Sequence, residues 1–190
     1  MSAQRIFLGG AAGAVGMRLT PLLRLAGHEV SGTTRSADRA AILRGFGAQA
    51  LPVDVFDAAA LQRAVTQAEP DVVIHQLTDL PRNLDPARMR DAIARNARMC
   101  ELGTRNLVTA AVAARVRCLV AQSIAWAYAA GPEPHADHAP VHVDAAAYAA
   151  LLTVECGAPG VYNIAQRNGH VATDKARAEL GWSDDFRLTS

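Results

Sequence analysis

The sequence has 190 residues, of which 51% are hydrophobic and 19% are charged, and its formal net charge is +1. This composition excludes a disordered chain, and a charge balance without a basic run argues against a nucleic-acid partner. No apolar stretch reaches the roughly 18 residues that cross a bilayer, so no membrane partner is expected. The three cysteines are odd in number and widely spaced, which predicts reduced thiols and a cytoplasmic protein.

The first predicted element is a buried strand at residues 5–8, followed by a glycine-rich turn and a helix over 14–26. Gly10, Gly13 and Gly16 form the pattern G-x-x-G-x-x-G. Gly10 would permit a tight turn, Gly13 a close approach to a pyrophosphate, and Gly16 close packing of the helix on the strand. The free N–H groups of the first helical turn, at Ala14 and Val15, would suit the phosphates of a dinucleotide. The alternative is a tight strand–helix turn that binds no ligand.

Strands and helices alternate along the chain after this turn. Further strands are predicted at 28–34, 48–53, 71–75 and 116–121, and further helices at 37–46, 58–68 and 87–114. Ser36 and Asp57 are predicted to cap the first two of these helices. Five strands that alternate with four helices within about 120 residues are typical of a doubly wound, Rossmann-like parallel α/β sheet. We therefore expect a dinucleotide-binding domain over residues 1–130.

Residues 131–190 follow a different pattern. It consists of a Pro- and His-rich loop at 131–140, a helix over 143–156, a short strand at 160–164 and a short helix at 173–181. These pieces are too small for an independent domain, so we expect a C-terminal remnant packed on the first domain or on another chain. Two or three side chains near the loop could ligate a metal, namely His135, Asp137, His138 and His142. Solvated loop histidines are the preferred interpretation, and no metal site is predicted.

Several segments resemble motifs of the extended and atypical short-chain dehydrogenase/reductases, the group of NAD-dependent epimerases and dehydratases. They are GGAAGAVG at 9–16, DVFD at 54–57, VVIHQLTDL at 72–80, GTRNLVTAA at 103–111, VAQSIAWAY at 120–128, and VHVDAAAYAALL followed by GVYNIA near the end. Each falls on the predicted strand end or helix where the family has it. The resemblance implies a Rossmann-like fold that binds NAD or NADP.

The resemblance also implies which residues contact the cofactor. Asp54 and Val55 match residues that meet the adenine amino group and ring. Leu77 and Thr78 lie in the turn that matches the family's contact to the nicotinamide-side ribose. Arg35 follows the second strand, where an NAD-preferring enzyme usually has a carboxylate for the ribose 2′-hydroxyl, and an arginine can instead pair with a 2′-phosphate. We therefore expect NADP in preference to NAD, the alternative for Arg35 being a solvated surface charge.

The sequence departs from the family at the catalytic dyad. The family's chemistry uses Tyr-x-x-x-Lys, in which a lysine ammonium lowers the pKa of a tyrosine acid/base. The three tyrosines, Tyr128, Tyr148 and Tyr162, have no lysine four residues later, and Lys175 is the sole lysine of the sequence. Tyr128 could replace the usual acid/base, although a core or loop tyrosine is the preferred interpretation because no cation adjoins it in sequence.

Other family positions differ as well. Ser123 lies near the family's supporting serine, but Ile124 is an alternative occupant of the aligned position. Cys100 stands where many relatives have a long-helix asparagine, and Asn96 lies one turn earlier. Relatives also have a long segment where this chain passes directly from the 131–140 loop to the next helix. The resemblance therefore implies an internal shortening that leaves a truncated substrate lobe without the dyad and without a sixth strand.

These features predict an NAD(P)-binding protein with weak or no standard hydride-transfer activity and an unknown small-molecule partner. One alternative is an active oxidoreductase or epimerase that uses a nonstandard acid such as Tyr128 or a histidine. Another is a structural relative that binds no nucleotide. Without a sixth strand the fifth would be an open edge, covered by residues 160–164 or by a second copy. The family often dimerises through the long helix at 87–114, so we expect a homodimer.

Overall fold

The computed structural model describes residues 2–80, 86–123, 141–167 and 171–189, and for residues 86–89 it describes the backbone alone. The chain divides into two compact units, Met1–Ala121 and Gln122–Ser190. The boundary between them directly follows the fifth strand and precedes the predicted boundary at residue 130. Of the helices in the described ranges, none combines the length and the apolar composition that a membrane crossing requires.

The first unit contains a five-stranded parallel sheet with the strand order β3-β2-β1-β4-β5. The predicted doubly wound, Rossmann-like α/β fold is therefore confirmed. Because β1 pairs with β2 on one side and β4 on the other, the chain reverses its direction of winding between β1 and β4, where such folds bind ligands. The elements in chain order are β1 (Arg5–Gly9), α1 (Ala14–Leu25), β2 (Glu29–Thr34), α2 (Ala37–Gly45), β3 (Gln49–Pro52), α3 (Ala58–Ala68), β4 (Val72–His75), α4 (Pro86–Arg98), α5 (Thr104–Ala113) and β5 (Cys118–Ala121).

The two central strands are buried because helices cover both faces of the sheet, as their continuous apolar runs predict. All four residues of β4 are buried, and so are the last four of β1. Phe7 and Val73 pair in register and pack on the face that α3 and α5 cover, where Leu61 and Leu107 are fully buried. This packing fixes the carboxyl ends of β1 and β4 side by side.

The predicted helix caps are confirmed. The Ser36 hydroxyl accepts a hydrogen bond from the Arg39 N–H at 3.3 Å, and the Asp57 carboxylate accepts one from the Ala60 N–H at 2.9 Å. Each cap satisfies one of the unpaired N–H groups at a helix start. These caps fix where α2 and α3 begin, and therefore the length of the loops after β2 and β3.

The long helix predicted over 87–114 is present, but its backbone is interrupted by a π-helical turn at Met99–Gly103, between α4 and α5. Such a turn holds one residue more than an α-helical turn, so it rotates the following residues by about 100° relative to a regular helix. Gly103 ends the turn in close contact, since an added Cβ would lie 2.8 Å from the Met99 sulfur. The sequence pattern did not predict this interruption.

Among the five described strands, β5 lies at one end of the sheet. Its side chains are less buried than those of β4, with which it pairs, and Leu119 is 41% exposed. The position of β5 fits the predicted edge strand. Coverage of that edge by residues 160–164 or by a second copy stays a prediction.

The second unit contains α6 (Val143–Cys156) and α7 (Asp174–Leu180), which confirms the two predicted helices. Trp182 is buried against them, and its indole N–H donates to the Ala145 carbonyl at 2.8 Å. The strand predicted at 160–164 does not form, and this prediction was wrong. Val161 is 79% exposed, and the Tyr162 hydroxyl instead bonds to the Ala158 backbone, so this segment is held by a side chain and not by strand pairing.

Candidate functional site

The turn after β1 has the backbone geometry that its glycines predict. Gly10 has φ +87°, a conformation that residues with a side chain rarely adopt, and an added Cβ would lie 2.6 Å from the Gln76 carbonyl carbon. The Gly10 N–H donates to the Thr33 hydroxyl at 3.0 Å. The turn therefore contacts β2 through Thr33 and, through Gln76, the residue that directly follows β4. Thr33 was not predicted as a site residue, although a polar residue near the end of a buried strand is a usable signal.

Glycine is present at positions 16 and 13 for different reasons. An added Cβ at Gly16 would lie 2.6 Å from the Ala11 carbonyl oxygen, so glycine allows α1 to pack on its own loop. Gly13 has φ −77°, which any residue adopts, and an added Cβ would have no protein atom closer than the Gly10 carbonyl oxygen at 3.1 Å. That contact is tighter than most Cβ contacts in proteins, so an alanine at position 13 would have to displace the Gly10 carbonyl slightly. Apart from that carbonyl and the Gln76 carbonyl oxygen at 4.0 Å, no neighbouring atom of the described residues crowds the Cβ position, so the missing side chain leaves space over the loop backbone for the close approach of a pyrophosphate.

The first turn of α1 points unpaired N–H groups toward this space. The first helical hydrogen bond joins the Met17 N–H to the Gly13 carbonyl at 3.0 Å, so the N–H groups of Ala14, Val15 and Gly16 precede it. The helix start has no side-chain cap and no acidic residue in its first turn. With the positive end of the helix dipole, this arrangement favours an anion.

Two arginines stand beside the loop at the end of β2. Arg35 directly follows β2 and is exposed, and within the residues that the structure describes its guanidinium has no hydrogen bond or ion pair. Arg39 lies in the first turn of α2, and its guanidinium donates to the Ala12 carbonyl in the glycine turn. Arg35 was predicted as a site residue, but Arg39 was not. A guanidinium without a partner suits recognition of a phosphate.

The loop after β3 holds the two residues expected near adenine. Asp54 is exposed, and its carboxylate accepts a hydrogen bond from the Phe56 N–H at 3.0 Å, while Val55 is buried. The Asn106 side-chain amide donates to the Val55 carbonyl at 2.9 Å and to the Phe56 carbonyl at 3.4 Å. Asn106 was not named as a site residue, although it belongs to the GTRNL segment that signals this helix.

The turn after β4 meets the glycine turn. Leu77 is buried, with its Cγ atom 3.5 Å from where a Cβ at Gly9 would lie, and Thr78 is exposed. At the end of β4, His75 Nε2 lies 2.8 Å from the Thr104 hydroxyl. Burial lowers the pKa of His75 below its usual 6.5, so the ring is neutral at pH 7 and does not offer a cation to a ligand.

Asn96, and not Cys100, contacts the loop that follows this turn. The Asn96 side-chain oxygen accepts from the Asp79 N–H at 2.9 Å, and its amide lies 3.7 Å from the Cys100 sulfur. Arg95 forms a 3.5 Å ion pair with the Asp79 carboxylate. The asparagine one turn before the expected position therefore holds the end of the β4 loop to α4.

The structure describes only one of the two candidate catalytic residues. Ser123 is exposed and lies two residues beyond β5, in the second unit, whereas Tyr128 and Ile124 lie outside the described residues. The Lys175 ammonium lies 4.5 Å from the centre of the Tyr162 ring. Desolvation and a 3.0 Å hydrogen bond to the Glu179 carboxylate raise the pKa of Tyr162. The raised pKa of Tyr162 therefore comes from desolvation and from Glu179 and not from Lys175. Its direction is opposite to the lowering implied for the tyrosine of the family's dyad.

The possible metal ligands of the sequence are the histidines and the aspartate near the loop at 131–140. In the parts of the chain that the structure describes, no three His, Cys, Asp or Glu side chains come together as a metal site. His142 accepts a hydrogen bond from the Asp144 N–H at 3.2 Å and so caps α6. His135, Asp137 and His138 lie outside the described residues.

The site therefore consists of four consecutive loops at the carboxyl ends of parallel strands. The contacts above join the glycine turn to the ends of β2 and β4, and α5 to the ends of β3 and β4. Ten residues were predicted to bind cofactor, and all lie on these loops or on the first turn of α1: Gly10, Gly13, Ala14, Val15, Gly16, Arg35, Asp54, Val55, Leu77 and Thr78.

Comparison with known proteins finds a curated relative, solved structures and a family model that are similar to this chain. A 3-diazoavenalumate denitrifying reductase from a Streptomyces species is 42% identical over 142 residues, which cover 74% of this chain and 45% of that protein. This chain thus spans less than half the length of that curated relative. The crystal structure of the Bordetella bronchiseptica enzyme WbmG in complex with NAD and UDP is 26% identical, with a TM-score of 0.50, over 63% of this chain and 37% of that one.

A second solved structure shows the fold alone, because its sequence identity is 15%. It is a UDP-glucose 4-epimerase with UDP-glucose from Thermotoga maritima, and it covers 96% of this chain and 94% of its own at a TM-score of 0.74. The family model described as the NAD dependent epimerase/dehydratase family matches residues 6–151, which is most of the sequence. That span begins in β1, includes every loop of the candidate site and ends within α6. The chain belongs to the NAD dependent epimerase/dehydratase family.

Proposed function

We propose that this chain binds NADP, or less tightly NAD, across the carboxyl ends of β1 to β4. The observation that carries the proposal is the glycine turn at Gly13, where no side chain covers the backbone beside a helix start that has neither a side-chain cap nor an acidic residue. In this arrangement the pyrophosphate lies over the glycine turn. The adenine lies near Asp54 and Val55, and the nicotinamide-side ribose lies near Leu77 and Thr78.

The preference for NADP rests on the charges at the end of β2. Arg35 and Arg39 flank the position where NAD-preferring proteins usually have a carboxylate for the ribose 2′-hydroxyl. Arg39 is engaged with the Ala12 carbonyl, whereas the exposed Arg35 guanidinium is available to a 2′-phosphate. A charge-assisted, bidentate contact to phosphate is stronger than a neutral hydrogen bond, so Arg35 gives NADP the advantage.

Binding is proposed without efficient hydride transfer of the standard kind. The sequence contains no Tyr-x-x-x-Lys, and the contact between Lys175 and Tyr162 accompanies a raised tyrosine pKa. A general acid works best when its pKa is close to the ambient pH. The chain would then serve as a cofactor-dependent binding or sensing protein for an unknown small molecule.

Calorimetric titration with NADP and with NAD tests this proposal. We expect Arg35→Asp to weaken NADP binding by at least about tenfold, because it removes a charge-assisted contact and adds repulsion, and to leave NAD binding nearly unchanged. Arg63→Asp is the matched control, since Arg63 is an exposed arginine on α3. Unchanged NADP affinity of the Arg35 variant would show that Arg35 does not contribute to NADP binding. Failure of the wild-type protein to bind either nucleotide would refute the proposal and favour a structural relative without a ligand.

The second candidate is an active oxidoreductase or epimerase with a nonstandard acid, such as Tyr128. The 42% identity to a denitrifying reductase favours it. Oxidation of NADPH in the presence of small ketones or sugar nucleotides would detect this activity. Loss of turnover in Tyr128→Phe at unchanged NADP affinity would support this candidate, while no turnover by the wild-type protein would support the binding role.

A homodimer is also proposed, with α4 and α5 as the contact. Ile93 on α4 and Val112 on α5 are 61% and 72% exposed, and pairing of these helices with those of a second copy would bury such apolar side chains. Light scattering at micromolar concentration is the test, and a monomeric mass would contradict the dimer.

A further inference from the structure

The loop after β3 is held in shape by a side chain from a distant helix. The carbonyls of Val55 and Phe56 point to the side-chain amide of Asn106, which lies 51 positions after Val55. One amide thus fixes two consecutive peptide units of the loop. Because Asp54 uses one carboxylate oxygen to accept the Phe56 N–H, the same loop conformation also sets the direction of the Asp54 carboxylate.

Two further contacts connect the same helix to this loop, but neither fixes its backbone. The Arg98 guanidinium lies 4.4 Å from the centre of the Phe56 ring. A Cβ at Gly103 would lie 3.6 Å from Val55 Cγ2, so the helix approaches the loop closely at that glycine. These contacts bring the helix near, and Asn106 supplies the hydrogen bonds.

The π-helical turn determines that Asn106 faces the loop. Asn106 lies three residues after Gly103, where the turn ends. In a regular helix the same residue would point about 100° away from its present direction. The contact of Asn106 with the loop after β3 therefore depends on the π-helical turn.

We propose that Asn106 is a positioning residue for the adenine end of the bound dinucleotide, acting through the Val55 and Phe56 carbonyls; this inference rests on the nucleotide-binding function proposed above. Asn106 itself does not touch the ligand. It keeps Val55 beneath the adenine ring and keeps the second oxygen of Asp54 directed at the adenine amino group. Without it, the loop is free to turn its carbonyls toward water, and the adenine site loses its shape while the glycine turn keeps its own.

The test is an isosteric exchange, Asn106→Asp, which preserves volume but replaces the donor with a carboxylate facing two carbonyl oxygens. We expect about tenfold weaker binding of ADP and of NADP, since one hydrogen-bonded donor is replaced by repulsion. Binding of inorganic pyrophosphate, which needs only the glycine turn, should be unchanged. Asn106→Ala should show the same selectivity with a smaller loss, and it serves as the second variant if the aspartate variant does not fold.

Asn163→Asp is the matched control, because the Asn163 amide also donates to a backbone carbonyl, that of Ala172 at 3.2 Å, but in the second unit. It should bind all three probes as the wild-type protein does. Wild-type affinity for ADP in both Asn106 variants would overturn the inference while leaving the nucleotide-binding function intact. An equal loss for pyrophosphate and ADP would also overturn it, since the role would then be general stability. Failure of the wild-type protein to bind NADP would refute the function itself.

Discussion

Two glycines of the same turn should respond to alanine substitution in opposite ways. Gly10 has φ +87°, and an added Cβ would lie 2.6 Å from the Gln76 carbonyl carbon, which belongs to rigid backbone. Gly13 has φ −77°, and an added Cβ would lie 3.1 Å from the Gly10 carbonyl oxygen and 4.0 Å from that of Gln76, so it needs only a small shift. Gly10→Ala should therefore destabilise the fold strongly, whereas Gly13→Ala should fold with a small loss of stability and fail to bind a dinucleotide.

The magnitudes follow from these geometries. A residue with a side chain in the left-handed region costs about 1–3 kcal/mol, and displacement of the Gln76 peptide adds to that, so we expect about 3 kcal/mol for Gly10→Ala. In a chain of this length the loss corresponds to a fall in Tm of roughly 10 °C. For Gly13→Ala the free energy of unfolding should fall by about 1 kcal/mol, because the residue keeps an ordinary φ but alanine is a poorer helix N-cap than glycine.

Urea unfolding and calorimetric titration with NADP measure the two effects separately. We expect Gly13→Ala to lower the urea midpoint much less than Gly10→Ala does, and to weaken NADP binding at least about a hundredfold, because its methyl group occupies the space that a pyrophosphate needs. Wild-type NADP affinity in Gly13→Ala would refute the assignment of that space to the pyrophosphate. A wild-type midpoint in Gly10→Ala would refute the strain argument.

Three further predictions concern stability. Leu107→Ala should cost about 3 kcal/mol in urea unfolding, because Leu107 is fully buried over Gly9, whereas Val112→Ala, at a 72% exposed position on the same helix, should change little. Burial lowers the pKa of His75, so His75 of the unfolded chain takes up a proton before that of the folded chain as the pH falls below 6.5. The free energy of unfolding should therefore decrease below pH 6.5, and His75→Gln should make it less dependent on pH between pH 7 and 5. The hydrogen bond from Arg177, at 2.5 Å, holds the pKa of Asp184 at about 2. The ionised Asp184 carboxylate should therefore stabilise the fold above pH 3.8, and this stabilisation should disappear as the pH falls toward 2. Acid titration followed by circular dichroism should show this loss in the wild-type protein but not in Asp184→Asn.

Local sequence signals predicted the first unit well because its elements are determined by short-range physics. The buried runs at β1 and β4 are apolar on both faces, as a central parallel strand requires, and Ser36 and Asp57 cap their helices through contacts within three residues. The glycine pattern predicted the turn for the same reason, since Gly16 is needed for a contact to the nearby Ala11 backbone and the positive φ of Gly10 is a local property of the turn.

Features that depend on long-range contacts were missed or wrongly predicted. The segment at 160–164 has the composition of a strand, but a strand also requires a partner, and Val161 faces solvent while Tyr162 bonds to Ala158. The π-helical turn adds a residue without changing the apolar periodicity on either side enough to reveal it. The partners of the loops, Thr33 and Asn106, lie 23 and 51 positions from the residues they hold, so only the assembled sheet brings them together.

The single lysine of the sequence makes the second unit chemically addressable. Lys175 is exposed on α7, so an amine-reactive fluorophore modifies one known side chain without any engineered substitution, and the α-amino group is labelled separately at lower pH. Acylation removes the ammonium charge that stands over the Tyr162 ring, 4.5 Å from its centre. The labelling rate would then report how often that contact opens, and a dye at this position would follow the unfolding of the second unit separately from that of the sheet.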